Sequence, residues 1–223
     1  MKQPLTDLAP YTDRLDLHNT QALFGAQIIA AVHEAAHVVA HLVTGETFSH
    51  VEIREDPAGG WSGSTYPVPG STVRPFRQHD EAVVFLAGPA AQYQLIQDLT
   101  GLPHEDLIDP LTFGALTDYS AVRALRTDAV RAEVHAVVLA TYWQNTIHRV
   151  AVAIVEAPGT TLDYEQCLAV TGPRMPTAFT QAHQRQIDRA YRAYIHGALP
   201  LYEPLAQELA DASGRSGANR TAA

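Results

Sequence analysis

The chain has 223 residues, 46% hydrophobic and 17% charged, enough for one globular domain with a buried core. A formal net charge of −9, with Lys2 the only lysine, argues against the basic surfaces that bind nucleic acid or anionic membrane. A single cysteine, Cys167, excludes an intrachain disulfide and a cysteine-rich zinc knuckle.

Residues 1–19 read as an irregular polar lead-in without the apolar core of a signal peptide. From Thr20 to Val43 an apolar stripe of Ile28, Ile29, Val32, Ala36, Val39, Ala40 and Val43 predicts a helix, stopped at Gly45. S-H-V-E-I-R (49–54) and W-S-G-S-T-Y (61–66) read as strands joined by the turn E-D-P-A-G-G, and Pro67, Pro69 and Pro75 mark a loop. A second helix is predicted from about Pro75 to Leu99, with a break or kink at Gly88-Pro89, because proline removes a helical donor. Residues 100–116 read as loop. A helix from Thr117 has Thr117 or Asp118 near its N-cap, and helix continues to about Ala157 with a break near Thr127-Asp128. T-L-D-Y-E-Q-C-L (161–168) reads as a short helix, residues 177–196 as an amphipathic one, and the small, polar tail within 199–223 as disordered. The most apolar window, 134–155, is interrupted by His135, Gln144, Asn145, His148 and Arg149, so no transmembrane helix is predicted. The expected organisation is one mainly α domain over 20–198 with a small β-hairpin, in the cytoplasm, with no nucleic-acid or membrane partner.

Chemistry concentrates in A-A-V-H-E-A-A-H-V-V-A-H, residues 30–41, where His33, Glu34 and His37 form H-E-x-x-H. Residues four apart share a helix face, so His33 and His37 can offer two imidazoles to one zinc ion. Glu34, one residue round the helix, can take a proton from a water at the open position. Three polar groups in an apolar helix are costly to bury unpaired, and a metal supplies a reason for them. The alternative is a helix that merely carries histidines. His41 reads as an outer or solvated histidine, and Ala40 and Val43 rule out the metzincin extension. For a third ligand, spacing leaves His79, Glu81, His104, Asp106, Asp109, Asp118, Glu133 and His135 open.

The order H-E-A-A-H-V-V-A-H, a hairpin with S-G-S-T, F-L-A-G-P-A-A-Q and F-G-A-L-T-D-Y-S-A-V-R-A-L resembles the protease domain of FtsH-type ATP-dependent zinc metalloproteases, over about residues 25–170. The resemblance implies a helical zinc-protease fold and assigns the third ligand to Asp118, whose alternative role is an ordinary N-cap. It departs from the family at Ala36 (usually glycine), at Pro89 (usually arginine), and at Tyr93 and Gln94, where paired acids tend to fall. No G-x-x-x-x-G-K-[ST] segment occurs, so the ATP-driven activity does not carry over. An aspzincin-type enzyme is the rival, and it also places an aspartate at Asp118 on the metal.

The expectation is therefore a soluble, ATP-independent zinc metallopeptidase acting on peptides or one protein substrate, with homo-oligomers possible. The competing expectation is a zinc-bound, non-hydrolytic interaction or regulatory protein that keeps the fold. The hairpin is expected either to present an edge strand to extended peptide or simply to cover the core. In the first case Gly63, Ser64 and Trp61 are the candidate substrate-binding residues. Asp106, Asp109 and Asp128 are expected as turn or cap residues, and His135 and His148 as surface or satisfied core histidines. The helix at 177–196 is expected to pack on the domain or to form a partner surface.

Overall fold

The computed structural model describes residues 8–57, 59–69, 77–102 and 115–172, together with Arg185, Asp188, Arg189, Tyr191 and Arg192. Its helices are α1 (Ala9–Thr12), α2 (Thr20–Phe24), α3 (Gln27–Thr44), α4 (Gln78–Thr100), α5 (Leu116–Ala124), α6 (Ala129–Tyr142), α7 (Gln144–Glu156) and α8 (Tyr164–Thr171). Its strands are β1 (Phe48–Glu55), β2 (Trp61–Pro67) and β3 (Thr161–Asp163), all antiparallel in the order β2-β1-β3. The mainly α fold with a small sheet is as expected. No helix among the described residues is long and apolar enough to cross a membrane.

Helix α3 is the axle of the domain. Every residue from Ile28 to Ala40 is buried, because α4, α7, β1 and β2 enclose it. Between Ile28 and Ala40 only His33, Glu34 and His37 are polar, as suits a helix enclosed on all sides, and the apolar stripe read from the sequence is only one of its covered faces. Gly45 ends it in the left-handed conformation, with φ of 74°.

Four expectations need correction. The helix predicted from Thr20 is two helices. The backbone breaks at Gly25-Ala26, where the Gly25 carbonyl accepts a hydrogen bond from Trp61 N–H at the start of β2. Of the break or kink expected at Gly88-Pro89, the break does not occur: α4 runs through both residues. Pro89 leaves the Phe85 carbonyl without its helical donor, but α4 is packed by α3, α5 and α6, and tertiary packing holds what local propensity would interrupt. The T-L-D of 161–163 is not helix but β3, paired with β1. Asp163 then caps α8 in a capping box with Gln166. The long helix after Asp128 breaks a second time at Trp143, between α6 and α7.

Asp128 caps α6 by accepting from Arg131 N–H, and both His135 and His148 are buried. The loop predicted at 100–116 lies mostly outside the described residues, as do His104, Asp106, Asp109, the start of the lead-in, the tail and most of 177–196. Of that last stretch, Asp188 pairs with Arg131 and Tyr191 donates to Asp128 while packing on Val134 and Val138 of α6.

Candidate metal centre

Two helices supply the centre. His33 and His37 project from one face of α3, and Asp118 comes from the first turn of α5. His33 Nε2 lies 3.0 Å from Asp118 Oδ2, and His37 Nε2 lies 3.7 Å from the same oxygen. One ligand atom from each residue falls within 4.8 Å of the others. The edge of a tetrahedral zinc site with these ligand types is about 3.3 Å, so the donor set fits that ion. Among the described residues no other group of three or more metal-binding side chains converges this way. Asp118 is not the N-cap of α5, since Ala115 holds that position without a side-chain cap bond.

Helix α4 orients both imidazoles from the far side. Its residues Val84, Gly88 and Gln92, spaced four apart, form one stripe facing α3. The Val84 carbonyl lies 2.7 Å from His37 Nδ1, and Gln92 Oε1 lies 2.8 Å from His33 Nδ1. A proton on each Nδ1 donates to these acceptors and leaves each Nε2 lone pair facing Asp118. Two lone pairs and a carboxylate oxygen in close approach repel one another unless a cation lies among them. Between the two anchors, Gly88 gives the rings room: a Cβ there would meet His37 Nε2 at 2.5 Å and His33 Nε2 at 2.6 Å. Neither Gly88 nor Gln92 was identified from the sequence. Their signal was the four-residue spacing across a segment that reads locally as a helix breaker.

The electrostatics favour positive charge at the same point. Burial disfavours the imidazolium of His37, but the charge and hydrogen bond of Asp118 outweigh it and raise the pKa to about 9. Burial likewise opposes the Asp118 carboxylate, yet the two histidines hold it well below the usual carboxylate range. His41, one turn further along α3, is pushed down to about 3 by burial and then by His37, and it takes no part in the cluster.

Glu34 is 5% exposed and points at β2. Its Oε2 accepts from the Thr65 hydroxyl at 3.0 Å. Gly63 lies against its Cγ so closely that a Cβ could not be accommodated without movement. The space left by the missing side chain of Gly63 is therefore taken by Glu34. Strand alternation puts Trp61, Gly63 and Thr65 on the face toward α3, and the side chain of Ser64 on the other face, where its hydroxyl donates to the Gly63 carbonyl. Trp61 is half-buried against the core.

The edge of β2 away from β1 carries no strand among the described residues. Trp61 N–H points along that edge to Gly25, and the Ile53 carbonyl opposite Gly63 is taken by Thr160 on the β3 side. In an antiparallel ladder these directions alternate, so the backbone N–H and C=O of Gly63 face the open edge beside Glu34.

The described residues thus form a buried His33-Glu34…His37/Asp118 cluster able to chelate a metal ion, with the layout of a zinc-protease-like active site. No protein-family model, curated protein or solved structure matched the chain.

Proposed function

We propose that this protein is a zinc-dependent peptidase, with His33, His37 and Asp118 as metal ligands and Glu34 as general base. The carrying observation is the position of Glu34: next in sequence to a histidine of the chelating cluster, buried, and held by Thr65 of β2, whose outer edge carries no strand among the described residues. Zinc bound there supplies Lewis acidity and brings the pKa of water toward neutrality. Glu34 accepts the proton of the attacking water and returns it to the leaving amine. Thr65 and Gly63 fix the carboxylate on the side of the cluster where a substrate lying along β2 would pass. An extended peptide adds to the β2 edge through the outward backbone of Gly63, with Trp61 as an apolar contact on the inner face. Ser64, whose backbone faces β1 and whose side chain lies on the opposite face, contributes by donating its hydroxyl to the Gly63 carbonyl.

The sequence resemblance to FtsH-type protease domains supports the same set of ligands and the same base. The proposed hydrolysis is ATP-independent, its substrates are peptides, flexible segments or one protein, and its setting is cytoplasmic.

The test is zinc stoichiometry of wild type and Glu34→Gln, each then incubated with casein. One zinc in both proteins, with cleavage by wild type alone, is the expected result. One zinc in both without cleavage returns the non-hydrolytic zinc-bound protein to the lead, and no zinc in either removes the metal centre.

A further inference from the structure

The two acceptors that α4 offers to the histidines differ in kind. The Val84 carbonyl can only accept, so it commits His37 to carrying a proton on Nδ1 whenever the ring is neutral. Gln92 is an amide, which accepts through Oε1 and donates through Nε2. It is 4% exposed, so it must satisfy its partner within the fold.

His33 stands between two contacts, 2.8 Å from Gln92 at Nδ1 and 3.0 Å from Asp118 Oδ2 at Nε2. Two arrangements satisfy both. In the first, Nδ1–H donates to Gln92 Oε1, and the Nε2 lone pair is free to ligate a metal shared with Asp118. In the second, Nε2–H donates to Asp118 Oδ2, and the Gln92 amide, turned through half a revolution, donates to Nδ1. The two differ by the transfer of one proton between the nitrogens of a single ring, with no change in net charge. A carboxylate at position 92 would permit only the first.

We infer that Gln92 is a two-way positioning residue. It lets His33 exchange between a metal-ligating tautomer and one that closes onto Asp118. The His33 ring then keeps a partner at each nitrogen whether zinc is gained or given up. This rests on the zinc reading above.

The first readout needs no variant. Long-range 1H–15N spectra of histidine-labelled protein, metal-stripped and with one equivalent of zinc, are expected to show His33 protonated at Nε2 when stripped and at Nδ1 when loaded. Protonation at Nδ1 in both states overturns the inference. The second readout is zinc affinity by chelator competition, with thermal unfolding of stripped and loaded protein, for wild type, Gln92→Glu and Gln92→Met. Gln92→Glu is expected to bind zinc about tenfold more tightly and to melt lower than wild type only when stripped. A variant that folds solely with zinc is the same result at its limit. Gln92→Met, which can neither accept nor donate through an amide, is expected to bind zinc about 10–100-fold more weakly. Equal affinity and equal stripped-state melting for wild type and Gln92→Glu overturn the inference. A wild type that takes up no zinc overturns the zinc reading and this inference together, whereas zinc uptake with an unmoved tautomer overturns the inference alone.

Discussion

Gly88 and His37 are in such close approach that a methyl group in place of one glycine hydrogen would stand 2.5 Å from the imidazole Nε2. The backbone of α4 thereby sets how deeply the histidines of α3 can lean toward Asp118. Gly88→Ala is expected to displace both rings at an overpacking cost of about 1–3 kcal/mol and to abolish stoichiometric zinc binding. Far-UV circular dichroism should stay that of the folded protein. A folded Gly88→Ala protein with a full zinc complement would show that the cradle does not matter.

Thr65 and Glu34 make a second prediction. A hydrogen bond to a carboxylate is worth about 1.5–3 kcal/mol, and the isosteric Thr65→Val change removes only the donor. The turnover number should fall at least about tenfold, with zinc content and KM little changed. Thr65→Ser should recover most of the loss. If valine and serine behave alike in steady-state assays, the hydroxyl does not position the base.

Glu133 lies in the core side of α6, 2% exposed, with no hydrogen-bond partner for either carboxylate oxygen among the described residues. Burial raises its pKa well above the ordinary value, so the folded carboxyl keeps its proton to higher pH than the unfolded one. The unfolded chain ionises above about pH 4.3, so unfolding releases this proton and stability declines as pH rises beyond that point. Glu133→Met should raise the unfolding free energy at neutral pH by about 1–3 kcal/mol, read from denaturant midpoints. A lower midpoint would mean that the carboxyl has a partner worth more than its desolvation.

His135 predicts the opposite limb. Burial, then His79 and Arg131, push its pKa down to about 3. Its ring nitrogen lies 3.3 Å from that of His79, itself lowered chiefly by burial. An unfolded histidine takes up a proton below about pH 6.5 and the folded one does not until about pH 3. The stabilisation is therefore complete above pH 6.5 and is lost progressively as pH falls toward 3, by up to about 1.4 kcal/mol per pH unit. Urea midpoints at pH 7, 5.5 and 4.5 should drop less steeply in His135→Gln than in wild type.

What could be read from the sequence depended on whether the signal was local. His33, Glu34 and His37 were legible because helix geometry alone brings positions four apart to one face. The hairpin was legible from its alternation, and Gly45 from the end of the periodic run. Asp118 was not legible from spacing, since its distance to His33 is closed by the tertiary fold, and only the family resemblance singled it out. Gly88 was misread because a Gly-Pro pair obeys local rules that the packing around α4 overrides. T-L-D was read as helix because Asp163 signals an N-cap, while the strand before it exists only through pairing with β1. Gly25 was passed over as a helical residue because the bond that breaks the helix comes from Trp61, across the hairpin.

The contact between His33 and Asp118 joins residues 85 positions apart in the chain. Loop closure over such a span carries a larger entropic cost than the turns within any one helix, and it gains little until α3, α4 and α5 have docked. The chelating cluster is therefore a late product of folding. A chain still emerging during synthesis, having made α3 but not yet α5, holds H-E-x-x-H without its aspartate. Metal capture would then mark completion of the domain, and the peptidase proposed above would stay silent while the chain is open enough to be its own substrate.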